Sequence, residues 1–158
     1  VLDAALANPD PRDRREVALL LLERETDASI QLSHLTPVNV LLENPTLGAD
    51  DLPVLRRLLH SGARAGAGLG GVRVARHPIV QLADRALDES EIAPLARALL
   101  EAAPADDLTR PALPDGRSVR EYLEAGVFPH AYPRDGLRAQ VHEELERRAA
   151  LAERNGYR

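Results

Sequence analysis

The chain is 158 residues long, 44% hydrophobic and 28% charged, enough for one compact domain and short of what two need. It has no cysteine, which excludes disulfides, thiolate metal sites and a cysteine nucleophile. Its 20 basic residues, all arginine, stand against 25 acids for a net charge of −5, which argues against bulk attraction to nucleic acid or an anionic membrane. The only aromatic residues, Tyr122, Phe128, Tyr132 and Tyr157, are too few for a base-stacking platform.

From the N-terminus, Ala4-Ala5-Leu6 before Asn8-Pro9 reads as a short helix closed by a loop. Asp10-Pro11 then supplies a helix cap followed by proline at the first helical position, where a missing N–H costs nothing. The apolar run from Val17 to Leu22 is far short of the ~20 residues of a membrane span and belongs to a buried helix. Val38 to Leu42 forms the next short helix. Leu52, Leu55, Leu58 and Leu59 mark the buried side of a longer one that Ser61-Gly62 ends. Pro78 to Leu82 and then Ile92, Leu95, Ala96, Leu99 and Leu100 repeat the pattern, with Pro53 and Pro94 expected in first turns. A last helix over residues 135–154 is expected to bury Leu137, Val141, Leu145 and Ala149. Its Glu143/Arg147 and Glu144/Arg148 are spaced as exposed ion pairs.

These elements repeat. Thr36-Pro37-Val38 and His77-Pro78-Ile79 lie 41 residues apart, and the same shift carries Leu41 onto Leu82, Leu58-Leu59 onto Leu99-Leu100 and His77 onto Ser118. Upstream, Ala4-Ala5-Leu6 and Asn8-Pro9 echo Val40-Leu41-Leu42 and Asn44-Pro45, and Leu21-Leu22 echoes Leu58-Leu59. One domain of four units follows, over residues 1–32, 33–73, 74–114 and 115–158, the last ending in a capping helix. Short one-faced helices are not stable alone, so the expected class is all-α: an α-solenoid of stacked helix-turn-helix units.

Thr36-Pro37-Val38-Asn39-Val40-Leu41-Leu42-Glu43-Asn44, followed by Leu52 to Gly62-Ala63, resembles the ankyrin repeat, which opens on Thr-Pro-Leu-His and closes on Leu-Leu and Gly-Ala. Asp115-Gly116-Arg117-Ser118 is similar to the turn that begins such a repeat. The period departs from the family's ~33 residues, and the extra length falls between the helices at residues 45–51 and 86–91. The resemblance implies hairpin-like finger loops and a concave face of short helices that bind macromolecules. The matching positions are Leu32, Ser33 and Leu35, then Arg73, Val74 and Arg76, then Arg117 at the fingers. Glu43, Asn44, Asp84 and Arg85 match at the short-helix ends.

No catalytic constellation stands out. The five histidines, His34, His60, His77, His130 and His142, include no pair at metal-ligand helical spacing, and His34 and His77 fall where the resemblance implies structural hydrogen bonds. Gly66-Ala67-Gly68-Leu69-Gly70-Gly71 follows a helix instead of a strand, the wrong context for a dinucleotide loop, and reads as a finger. The serines sit in no nucleophile motif, and the acid pairs read as solvated charges.

The expectation is a non-enzymatic protein-interaction module with no metal and no cofactor, monomeric and cytoplasmic. An immunity or inhibitor protein that neutralises a toxin or enzyme, and a helical ligand-binding or hydrolytic domain, are the alternatives. Residues 52–83 hold five arginines and no acid, leaving −10 for the rest of the chain, so the expected partner is an acidic protein that engages Arg73 and Arg76. The abundance of alanine, arginine, glycine and proline without lysine suits a high-G+C bacterial genome. The chain begins with Val1 and contains no methionine, so its natural start is expected upstream.

Overall fold

A computed structural model describes residues 1–24, 37–61 and 76–156. Among these the regular structure is entirely helical, with eight α-helices in order: α1 (Leu2–Leu6), α2 (Pro11–Glu23), α3 (Pro37–Leu42), α4 (Leu52–His60), α5 (Pro78–Ala83), α6 (Glu89–Ala102), α7 (Val119–Ala125) and α8 (Asp135–Gly156). Short 3-10 turns at Ala49–Asp51 and Ala105–Leu108 precede α4 and follow α6. The finger positions Leu32, Ser33, Leu35, Arg73 and Val74, together with His34 and the run of glycines, lie outside the described residues.

Local chemistry sets the helix starts. The Asp10 carboxylate accepts from the Arg12 and Asp13 N–H groups at 2.9 and 3.2 Å, with Pro11 first in α2. His77 Nδ1 accepts from the Ile79 N–H at 3.2 Å, which caps α5 and makes this buried histidine structural at that nitrogen. Ser118 and Glu121 form a reciprocal capping box on α7, and Gly126, at φ 68°, turns the chain out of that helix in a conformation that favours glycine. The 41-residue period survives as geometry: α3, α5 and α7 begin at Pro37, Pro78 and Val119.

Contacts follow the same order. Each short helix packs on the long helix after it, α1 on α2 through α7 on α8; α1, α3, α5 and α7 also contact one another in succession, as do α2, α4, α6 and α8. The core lies between the two rows and includes Leu6, Leu41, Leu55, Leu58, Leu82 and Leu99, each 0% exposed. Leu22 shares the burial of Leu58, so the first unit is offset by 36 residues throughout, one fewer than the Leu21-Leu22 echo suggests.

Four expectations need correction. Of the run from Val17 to Leu22 only Ala18 and Leu22 are buried, and Val17 and Leu20 face solvent. Pro94 sits inside α6, because Asp88 accepts from the Glu91 N–H at 3.0 Å and starts the helix a full turn earlier. Ala149 is exposed, since α8 continues past the end of α6. Glu144 is buried, not solvated: Arg147 donates to both of its oxygens at 2.6 and 2.9 Å and Arg148 donates at 2.8 Å, while Arg148 also reaches the Leu100 carbonyl at 2.6 Å.

The hydrogen bond from Arg147, with that from Arg148, holds the Glu144 carboxyl below the usual glutamate range against the opposing effect of burial. A carboxyl lowered in the folded state adds stability above its unfolded value and loses it as pH falls through the folded one. Glu144→Gln is therefore expected to melt below the parent at neutral pH, with the gap closing as the solution is acidified. Thermal melts of both proteins across that range check it.

Candidate functional site

The loops that join short to long helices are tied to one another by side chains. Asn44 is buried, and its amide donates to the Leu6 and Asn8 carbonyls at 2.9 Å each, while Arg85 donates back to the Asn44 carbonyl at 2.9 Å. Between α3 and α5, Asn39 donates to Gln81 at 2.8 Å, and Gln81 donates to the Asn39 carbonyl at 3.0 Å and to Glu43 at 2.7 Å. Two of the nominated residues, Asn44 and Arg85, thus hold neighbouring loops together, and Glu43 keeps an exposed position at the end of α3.

The other three described candidates meet at one place on the third and fourth pairs. Arg76 runs alongside α5 to form an ion pair with Asp84 at its far end. Asp84 in turn accepts a 2.5 Å hydrogen bond from the Tyr122 hydroxyl on α7. The Arg117 guanidinium lies over the Tyr122 ring, 5.1 Å from its centre, and bonds Asp115 at 2.7 Å. That bond holds the Asp115 carboxyl below its ordinary value and raises the Arg117 guanidinium above its own. Arg76 and Arg117 remain 51% and 41% exposed, whereas the Asp84 carboxylate is only 8% exposed. The positive charge of the acid-free stretch is therefore met, at Arg76, by the first acid that follows it.

Tyr122 also begins a row of rings. Phe128 packs edge-on against it at 5.9 Å, His130 stacks on Phe128 at 5.8 Å, and Tyr132 follows at 5.7 Å. His130 Nε2 donates to the Ala83 carbonyl at 2.7 Å, and its Nδ1 accepts from the Tyr132 N–H at 3.2 Å. Behind the row Arg134, 0% exposed, donates to the Ala83, Arg85 and Leu87 carbonyls at 2.9, 2.6 and 2.9 Å. Burial lowers the Arg134 guanidinium from its ordinary value, and Glu89 and Asp88 oppose that effect. The ring row escaped sequence reasoning, although Phe128, His130 and Tyr132 at alternate positions in an uncharged stretch were a usable signal.

No family model, curated protein or solved structure matches this chain. The chemistry of the site therefore rests on its own geometry. Elsewhere an open groove of about 460 Å³ between α6 and α8 is lined by Arg97, Glu101, Gln140, Glu143 and Arg147, with Arg147 already engaged by Glu144. Among the described residues no three His, Asp or Glu side chains converge as a metal site, and no helix is long and apolar enough to cross a membrane.

Proposed function

We propose that the chain is a divergent, ankyrin-like α-solenoid that recognises a partner protein through the open side of its short helices and performs no chemistry of its own. The ordered contacts of short helix on short helix and long on long support the solenoid, since a stack of paired helices shares one continuous core. One observation carries the recognition reading. Arg76, Asp84, Tyr122 and Arg117 form a single chain of contacts across two consecutive units, with both guanidinium groups half exposed.

Arginines fixed from behind lose little side-chain freedom when they bind, and arginine and tyrosine are the residue types that dominate interface energetics. Carboxylates on the partner suit the outer edges of these two guanidinium groups. Arg76→Gln with Arg117→Gln tests the reading without placing like charges together. In affinity capture from the native cell extract, the parent is expected to retain a stoichiometric partner at low salt, and the double variant to lose about tenfold in recovery. Equal recovery by a variant whose circular dichroism is unchanged overturns it.

A further inference from the structure

We infer that residues 127–132 form a strap that acid releases, with the His130 ring as its latch, a property of the fold independent of the recognition reading above. The bonds around His130 fix where its proton sits. Nε2 lies 2.7 Å from the Ala83 carbonyl oxygen and must donate to it, while Nδ1, 3.2 Å from the Tyr132 nitrogen, must accept. Arg134 Nη2 stands 3.1 Å from the same Nε2, but its two hydrogens go to the Arg85 and Leu87 carbonyls at 2.6 and 2.9 Å. The latched ring is therefore neutral, with its hydrogen on Nε2.

A second proton is opposed twice. At Nδ1 it replaces the lone pair that holds the Tyr132 N–H, and it sets a positive charge 3.1 Å from the Arg134 guanidinium. The acids around the ring are engaged elsewhere. At the end of α5, Asp84 holds Arg76 and the Tyr122 hydroxyl, and the Arg85 side chain turns away to the Asn44 carbonyl. Asp88 accepts from the Ser90 hydroxyl and the Glu91 N–H, and Glu89 accepts from the Gly136 N–H. On α7 Glu121 caps its own helix; Arg117 pairs with Asp115, and on α8 Asp135 pairs with Arg138. Glu89 and Asp88 act on Arg134, yet among the described residues no acid forms an ion pair with either His130 or Arg134. His77 differs, since its Nε2 faces the Asp107 carboxylate at 3.4 Å.

The ends of the strap stay fixed when the latch opens. Gly126 turns the chain out of α7 at φ 68°, and the buried Arg134 holds three carbonyls of the loop after α5. Between these ends Val127 and Tyr132 are already 77% and 45% exposed, so little apolar burial opposes the opening beyond that of Phe128. Release separates the Phe128 and His130 rings, now stacked at 5.8 Å, and loosens the row that backs Tyr122. Between about pH 8 and 5 histidine takes up a proton while ordinary carboxylates stay ionised, so acidification over that range reads the latch.

Nitrogen-15 NMR of the His130 ring at about pH 8 is expected to show a neutral ring with its proton on Nε2. At about pH 5 the protection of the Tyr132 amide against hydrogen exchange, corrected for the intrinsic rate, is expected to fall at least about tenfold. The ring contacts between Phe128 and His130 should disappear with it, while the core amides of Leu58 and Leu99 keep their protection. His130→Gln supplies a donor and an acceptor that do not titrate, so its Tyr132 amide should show no such step. A neutral ring protonated on Nδ1, Tyr132 protection that persists in acid, or a step that survives in His130→Gln would each overturn the inference. The first two readings come from the parent protein and stand whether or not the variant folds.

Discussion

Asp51→Ala is expected to cost about 3–5 kcal/mol of folding stability, a large share of what holds a domain of this size together. Its carboxylate takes two parallel hydrogen bonds from Arg14, both 2.8 Å, and Arg14 is 0% exposed. The same guanidinium donates to the Asn8 carbonyl at 2.6 Å and to the Thr46 hydroxyl at 2.8 Å, so it joins the loop of the first unit to that of the second. Removing Asp51 leaves a buried cation without its counter-charge and also frees the Gly48 N–H that Asp51 holds at 3.1 Å. The pair's own worth is smaller than the cost of breaking it, because burying both charges consumes most of their attraction. Asp51→Leu with Arg14→Met is accordingly expected to recover part of the loss. Recovery stays incomplete because the charged hydrogen bonds from Arg14 to the Asn8 and Thr46 carbonyls are lost as well, at about 1 kcal/mol each where both carbonyls keep Asn44 or water as a partner. Urea unfolding of the two single variants and the double variant measures both terms. A loss below about 1 kcal/mol for Asp51→Ala means that the guanidinium finds water instead, and that the loops are not joined as described.

Arg14 and Arg134 also mark where sequence reading stops. Helix starts were legible because their signals are local: Asp10-Pro11, His77-Pro78 and Ser118 with Glu121 each act within three residues, and the 41-residue register aligns the last two. Burial of an arginine is not local. Arginine alone reads as surface, and the partner of Arg14 is 37 residues away in sequence, while the carbonyls met by Arg134 lie about fifty residues before it. Glu144 was misread for the same reason, its spacing to Arg148 being equally good for an exposed pair and for a buried one that also reaches the Leu100 carbonyl. Pro94 invited a first-turn reading because proline favours that place, but Asp88 is a stronger start signal and the helix carries the proline within it. At the site, Arg76, Asp84 and Arg117 read from the sequence as separate surface residues. Tyr122, which joins them, stands out there only as one of a scarce residue type, because its link to Asp84 spans 38 residues.

The stacking of the long helices makes a graded prediction. Leu58 of α4 and Leu99 of α6 occupy equivalent places one period apart, and both are 0% exposed; alanine at either is expected to cost about 2–5 kcal/mol. Both helices are packed on two sides, α4 by α2 and α6, and α6 by α4 and α8, so little can move in to fill the cavity and the cost falls toward the upper end. Leu22 stands in the same place on α2, which has α4 as its only described long-helix neighbour, and it is 2% exposed. Its surroundings can relax from the open side, which puts Leu22→Ala nearer the lower end of that range. Leu59, one residue beyond Leu58, is only half buried and is expected to lose about 1 kcal/mol. Denaturant midpoints for the four alanine variants, at constant slope, give the order directly. If Leu59→Ala costs as much as Leu58→Ala, α4 is rotated from the face described; if Leu22→Ala matches Leu58→Ala, the first pair is covered as fully as the second. The difference between those outcomes is set by how many neighbours a helix has, which is the property that distinguishes a stack of units from a bundle with one shared centre.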